Sequence, residues 1–293
     1  MDRCDYTYLN LPISFNQTFK YPPQTRFYTM KPAFGYIPQK KAWKDLLVRC
    51  IGIPHPYGRM RAMRVLKYLS RKHKKILDVG SGEGIWSVEL ARRGFDVTGI
   101  DLSATAVENA KKAVQRTKTK ADFYVGDAQH IKLKEKNFDQ AICLDVMEHV
   151  DDPTQVIKGV SKHLRKGGIF IATVPTPLYL VKSLLPLNFK KHCKKIGHIH
   201  DGFYFDTMKK MFNKEGFKII KHEYFGRGFS RIILELLYAC AGHGQLQRYR
   251  KKMYDYHYST LLLFFLIYPI LLTDYLFPRK SKGAFVLLKA VKL

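Results

Sequence analysis

The stretch Ile76-Leu77-Asp78-Val79-Gly80-Ser81-Gly82-Glu83-Gly84 constrains this chain more than any other. It reads as a buried strand that breaks into a glycine-rich loop and then a helix. Asp78 closes the strand, and three glycines at alternate positions leave room for a ligand against bare backbone. Two weaker signals follow. Val97-Thr98-Gly99-Ile100-Asp101 is a second short apolar strand ending in an acid, and Phe123-Tyr124-Val125-Gly126-Asp127 is a third. Strand ends of this kind build one crevice at the edge of an open α/β sheet. Such a crevice suits a nucleoside-like ligand.

A dinucleotide fingerprint spaces its glycines G-x-G-x-x-G and admits a pyrophosphate to a helix N-terminus. The spacing here is Gly80-x-Gly82-x-Gly84, with Asp78 two residues before the first glycine. A carboxylate at that place repels a pyrophosphate and suits an ammonium or sulfonium group. Together with Asp101 and Asp127, the pattern resembles the class I S-adenosylmethionine-dependent methyltransferases. The resemblance continues through a fourth strand, Phe138 to Asp145, with the exit Val146-Met147-Glu148-His149-Val150. A helix then starts at Asp152-Pro153 and ends in a turn at Leu164 to Gly168, before a fifth strand at Ile169 to Pro175. The nearest resemblance is to the ubiquinone-biosynthesis O-methyltransferases. It covers residues from about Ile76 to Phe225 and resumes in the last ten.

The resemblance implies an α/β fold: a Rossmann-like seven-stranded sheet with helices on both faces and an antiparallel last strand. Phe217 to Tyr224 would be the sixth strand and Ala284 onward the seventh. It also implies S-adenosyl-L-methionine as cofactor, held by Asp78, Gly80, Ser81, Gly82, Gly84, Asp101, Leu102, Asp127, Ala128 and Leu144. Asp101 would take the ribose hydroxyls and Asp127 the adenine amine. His149, just after the fourth strand, is the candidate general base, if the acceptor must lose a proton; its rival role is a helix-entry residue bonding local backbone. Asp145, Glu148 and His149 resemble the Glu-x-x-Glu-His set that holds magnesium in the quinone enzymes, so magnesium is a candidate second cofactor. His200 and Tyr204 lie in a segment resembling the family's substrate-side loop. Asp206 fits as N-cap for a helix over Thr207 to Lys214, with Gly216 ending it.

Charge carries a second message. With 51 Lys and Arg against 24 Asp and Glu, the formal net charge is +27. Basic clusters recur at 40–41, 71–75, 111–112, 190–195, 248–252 and 279–282, and the total implies an anionic partner, either a membrane surface or nucleic acid. Five cysteines (4, 50, 143, 193 and 240) include no C-x-x-C pair, which argues for a reducing compartment and against a zinc or disulfide framework. The opening residues, Met1 to Asp5, lack the basic-then-apolar plan of a secretory leader. Localisation is therefore read as cytoplasmic, peripheral at the inner face of a membrane.

The segment Leu261 to Leu272 favours membrane over nucleic acid: a dozen residues without a charge, containing Pro269 and followed by Asp274. A bilayer span needs roughly 20 apolar residues, so the run is short. The final strand must also return to the sheet, which a single crossing forbids. The segment therefore lies in an interface, re-enters it, caps the substrate cleft, or packs as a core helix. It falls in an insertion of some sixty residues where a hairpin needs only a few. The chain divides into an N-terminal arm (1–56), a methyltransferase core (57–225), a hydrophobic and basic insertion (226–283) and a final core strand (284–293). Ahead of the first strand an amphipathic helix is expected from Tyr57 to His73, with Met60, Met63, Leu66 and Leu69 inward and Arg59, Arg64, Lys67 and Arg71 outward.

The resulting expectation is a methyltransferase acting on a hydroxyl of a lipid, quinone or lipid-linked sugar at a membrane surface. An RNA methyltransferase suits the charge equally well, but the sequence has no recognisable RNA-binding module. It also lacks the Asn/Asp-Pro-Pro-Tyr motif of the amino-methylating relatives. A non-catalytic membrane adaptor that keeps the fold is a third reading, and a nicotinamide oxidoreductase a fourth.

Overall fold

A computed structural model describes residues 56–177, 197–233, 258–277 and 282–293. The N-terminal arm, the His192–Cys193 pair and the basic clusters at 40–41, 190–195 and 248–252 lie outside the described residues.

Seven strands form one sheet: β1 (Lys75–Val79), β2 (Asp96–Asp101), β3 (Ala121–Val125), β4 (Phe138–Leu144), β5 (Leu164–Pro175), β6 (Phe217–Phe225) and β7 (Phe285–Lys292), in the order β3-β2-β1-β4-β5-β7-β6. β1 runs parallel to β2 and β4, while β7 lies antiparallel between β5 and β6. The expected sheet and its antiparallel last strand are thus present. β1 is covered on both faces, which is why it reads as an unbroken apolar run around one acid. Strand order reverses between β1 and β4, and there the carboxyl ends part to open a crevice.

Strand alternation divides the core. Leu77, Val79, Ala141, Cys143, Phe170 and Ala172 point to one face, where α4 (Pro153–His163) and α5 (Phe205–Lys214) bring Val156, Val160, Met208 and Phe212. Ile76, Ile142, Ile171 and Leu287 point to the other, where α1 (Pro56–Tyr68), α2 (Ile85–Arg92) and α6 (Tyr258–Leu272) bring Met60, Val65, Leu90 and Leu271. α3 (Ala104–Thr117) buries Val107 and Ala110 against Phe123. Lys292 lies at the C-terminus of α4, donating from Nζ to the Ser161 and Leu164 carbonyls at 2.6 and 2.7 Å.

Several local expectations are corrected. β3 ends at Val125; the Gly126 N–H makes the last bond to β2, donating to the Asp101 carbonyl, and Asp127 stands in the loop beyond. The turn expected at 164–168 belongs to β5: Leu164 pairs with Phe138, and pairing resumes at Ile169 with Gln140. Arg165, in the intervening bulge, is held by Asp139. α5 starts two residues early, so Asp206 sits in its first turn rather than at the cap, while Gly216 follows its end with φ 80°.

The largest correction concerns α1, which ends at Tyr68 rather than His73. Helical periodicity places Met63 inward and Arg64 outward; the structure reverses them, with Met63 50% and Arg64 2% exposed. Arg64 lies four residues from Met60 and therefore on the buried face. It is tolerated there because it is fully paired. Its Nε donates to Glu223 Oε1 at 3.1 Å, and Nη2 to the buried Asp274 Oδ2. Arg227 meets the same Asp274 through its backbone N–H at 2.7 Å and its Nε at 3.1 Å. Tyr68 closes the network on Glu223 at 2.8 Å. Two guanidiniums and two carboxylates thus join α1, β6 and the turn Thr273–Leu276 that follows α6. No helix among the described residues is long and apolar enough to cross a membrane.

Candidate functional site

The glycine loop leaves β1 by hanging from β2: the N–H groups of Gly80 and Ser81 both donate to the Ile100 carbonyl, at 2.8 and 3.0 Å. Gly80, Gly82 and Gly84 all have positive φ (73°, 53° and 76°), so side chains there would be strained. Their surroundings differ. A Cβ on Gly80 would lie 2.3 Å from Val146 and one on Gly84 2.8 Å from Ala110, whereas one on Gly82 would meet nothing within 4 Å. Gly80 and Gly84 therefore serve close packing, and Gly82 presents bare backbone to open space. The Ser81 hydroxyl, in the same loop, is buried with no hydrogen-bond partner.

The acids surround this loop. Asp78 is buried, with Ser87 Oγ donating to its Oδ2 at 2.7 Å. Burial pushes its carboxyl up to about 7; Asp101 adds to the rise, while Ser87 and Arg61 oppose it. Asp101, at the end of β2, accepts from Gly82 N–H at 2.8 Å and Ser103 N–H at 2.9 Å. It thereby fixes the loop from the neighbouring strand. Leu102 beside it is exposed. Asp127 accepts from Gln129 N–H at 2.8 Å and caps a short turn that begins at Ala128. Strand register aligns Asp78 with Gly99 and Ile142, so Leu144 at the end of β4 borders the same crevice. All ten expected cofactor-contacting residues therefore lie at or just beyond the carboxyl ends of β1 to β4.

The far wall of the crevice was less foreseeable. Asp145 leaves β4 with φ 56°, an uncommon conformation for a residue with a side chain. Thr173 Oγ1 holds its Oδ1 at 2.7 Å and Arg61 of α1 pairs with its Oδ2. The Arg61 guanidinium lies 5.9 Å from the Trp86 ring centroid. Neither Arg61 nor Trp86 falls in a motif of the sequence.

Beyond Asp145, a short turn carries Glu148 and His149. His149 Nδ1 lies 3.0 Å from the Gly197 carbonyl, so it carries the proton and leaves Nε2 as acceptor. Burial lowers the His149 pKa and favours the neutral ring. The bond reaches backbone 48 residues away, not the local backbone of a helix-entry role, and it leaves Nε2 base-competent. Glu148 is buried, its Oε2 without a hydrogen-bond partner, and burial, reinforced by Asp145, holds its pKa well above the carboxylate range. His198 joins them: ligand atoms of Glu148, His149 and His198 lie within 4.8 Å of one another, and the two rings meet edge to face at 4.7 Å.

This grouping differs from the expected magnesium set of Asp145, Glu148 and His149, because Asp145 is turned toward Arg61 and Thr173. One carboxylate and two imidazoles match magnesium's demand for oxygen ligands poorly. His200 is tied to the loop: its Nε2 lies 3.0 Å from the Val150 carbonyl and its ring 5.2 Å from Phe203. Tyr204 is exposed at the start of α5.

Comparison with known proteins agrees with this geometry. Residues 77–172 match the methyltransferase domain family. The chain is similar to a ubiquinone biosynthesis O-methyltransferase of Hydrogenovibrio crunogenus, 32% identical over 156 residues that make up 52% of this chain and 65% of that protein. A protein of the same description from Coxiella burnetii is 31% identical over 41% of this chain and 56% of its own length. The chain thus spans less than two thirds of the length of either relative. Among solved structures, it resembles Haemonchus contortus phosphoethanolamine N-methyltransferase 2 in complex with S-adenosyl-L-methionine, with TM-score 0.56 and 19% identity over 80% of this chain and 52% of that one. Residues 77–172 thus match the methyltransferase domain family, and the seven-stranded sheet that holds them shares its fold with the phosphoethanolamine N-methyltransferase structure.

Proposed function

We propose that the protein transfers a methyl group from S-adenosylmethionine to a hydroxyl of a hydrophobic acceptor, a lipid, quinone or lipid-linked sugar, at an anionic membrane surface. The observation that carries this reading is the bare backbone of Gly82, open to the crevice between a buried Asp78 and Asp101. The relatives described as ubiquinone biosynthesis O-methyltransferases support a quinone-like acceptor.

The residues fit the cofactor. Asp78 faces its positive end, and ionises more readily beside a cation than when the site is empty of one. Each Asp101 oxygen accepts one backbone N–H and retains a lone pair for a ribose hydroxyl. Asp127 takes the adenine amine, while Leu102, Ala128 and Leu144 flank the base. When bound, S-adenosylmethionine supplies an electrophilic methyl group.

The protein's own task is then positioning, desolvation and removal of one proton. His149 accepts the acceptor's hydroxyl proton at Nε2, and the Gly197 carbonyl holds the ring in that tautomer. Asp145, fixed by Arg61 and Thr173, shapes the exit of β4 where acceptor and donor meet. His200 and Tyr204 border the acceptor side, His200 by holding the loop and Tyr204 by direct contact. Magnesium has no part in these steps.

Calorimetric titration with S-adenosylmethionine tests the reading, beside an Asp101→Ala variant. The wild type should bind in the micromolar range. The variant, which loses two charge-assisted bonds that shape the loop, should bind about 10–100-fold more weakly. No binding by the wild type would sink the proposal.

A further inference from the structure

The helix α6 is apolar on two opposite faces. Its inner stripe, Ile267 and Leu271, packs into the core cluster beneath α1. Its outer stripe runs at i, i+3, i+4, i+7 and i+8 through Leu262, Phe265, Leu266, Pro269 and Ile270, every one exposed. Leu262 and Leu266 are 62% and 63% exposed, and Leu276 just past the helix 82%. A helix on an ordinary surface turns a polar stripe outward, so water is a poor neighbour for this one. Nor does the described length of the helix cross a bilayer. Fifteen residues reach about 22 Å, against roughly 30 Å of hydrocarbon.

The neighbourhood is cationic. Beside the ridge, a cleft of about 240 Å³ is lined by Arg64, Lys67 and Arg227 against Glu223, with Tyr275 and Phe277. Arg64 and Arg227 are neutralised by the buried acids, so Lys67, exposed next to the exposed Met63, is the cation that the cleft turns to solvent. In sequence, α6 lies between Arg248, Arg250, Lys251 and Lys252 on one side and Arg279, Lys280 and Lys282 on the other. An apolar ridge among cations is complementary to an anionic lipid surface: hydrocarbon takes the ridge and headgroups take the charges.

We propose that the outer stripe of α6, with Leu276, is a fixed membrane-docking ridge that enters the headgroup–acyl boundary of an anionic bilayer without spanning it. It is fixed rather than hinged, because Asp274 at its end is held by Arg64 and Arg227. The inference rests on the proposed function, and it assigns the partner surface that presents the acceptor. Of the roles the sequence leaves open for this segment (interfacial, re-entrant, cleft cap or core helix), it selects the interfacial one.

The test is sedimentation of the full chain with vesicles of phosphatidylcholine, with and without phosphatidylglycerol. Three proteins are compared: wild type, the double variant Phe265→Glu/Leu266→Glu, and Lys67→Glu. All three substitutions fall on exposed positions, so folding should be unaffected. The wild type should pellet with the anionic vesicles, and the double variant should bind at least about tenfold more weakly. Lys67→Glu should lose about fivefold or more on anionic vesicles only. Wild type left in the supernatant, or a double variant that pellets equally well, overturns the proposal. So does a wild-type dimer in light scattering that the double variant dissolves, since a second copy would then cover the ridge. S-adenosylmethionine titration of the same samples separates the two ideas. Cofactor binding without docking defeats the ridge alone, and docking without cofactor binding defeats the proposed function alone.

Discussion

Replacing Asp274 with alanine should be among the most damaging single changes in the chain. The side chain is fully buried and accepts from the backbone N–H and Nε of Arg227, from its Nη2 at 3.2 Å, and from Arg64 Nη2. The charges of Arg64, Arg227, Glu223 and Asp274 sum to zero. Without Asp274, two buried guanidiniums face one carboxylate, and the Arg227 N–H loses its acceptor. Removing one partner of a buried ion pair costs about 3–5 kcal/mol, and an orphaned backbone donor adds about 1 kcal/mol. Against a total stability of roughly 5–15 kcal/mol, that is a large fraction. In a chain of this size each kcal/mol lowers Tm by about 2–4 °C, so a fall of roughly 10–20 °C is expected. Thermal unfolding followed by circular dichroism, with a urea midpoint as a second measure, reads it. Asp274→Asn, which keeps the shape and part of the bonding but not the charge, should lose most of the same amount. A cost under about 1 kcal/mol for the alanine variant would refute the reasoning, because it would mean that water already reaches the cluster.

Two further outcomes concern pH. Asp78 is held near 7 by burial, far above its unfolded value, so its stabilising contribution to the cofactor-free protein is complete below about pH 4 and is lost as pH rises through 7. A cationic ligand favours the ionised carboxyl. Affinity for S-adenosylmethionine should therefore rise between about pH 6 and 8, with protons released on binding below 7; calorimetry in buffers of different ionisation enthalpy would show it, and Asp78→Asn should flatten the profile. His149 has a pKa lowered by burial and acts as a base only when neutral. The acid limb of kcat should thus lie below the ordinary histidine value, and His149→Ala should cost about 10²–10⁴-fold in kcat while leaving cofactor affinity unchanged. An unchanged kcat would reduce His149 to its backbone bond with Gly197.

What the sequence made legible was local or pairwise along the chain. The apolar runs ending in Asp78, Asp101 and near Asp127 mark strand ends because a buried strand must stop where an acid can be solvated or paired. The glycines at 80, 82 and 84 are visible because only glycine tolerates that backbone path. The misses share a different cause. Arg64 reads as an outward cation until Asp274, 210 residues away, is known to meet it. Asp274 itself reads only as the end of an apolar run. Asp145 sits in the right place in sequence for a metal ligand, but a left-handed backbone turns it toward Arg61 and Thr173. His198 enters the Glu148–His149 group through a loop whose course no periodicity encodes.

The place of β7 has a consequence for how the molecule is made. This strand forms two sheet interfaces at once, with β5 and with β6, yet it is synthesised after both, about sixty residues beyond β6. Until it emerges, β5 and β6 each present a bare edge, while the uncharged α6 has already left the ribosome. The interval between the completion of α6 and that of β7 therefore exposes an open sheet and a greasy helix together, a state prone to aggregation or chaperone capture. A chain truncated before Phe285 would not lose a peripheral strand; its sheet would be divided between β5 and β6, and low yields from such truncations would reflect failed assembly rather than a lost activity.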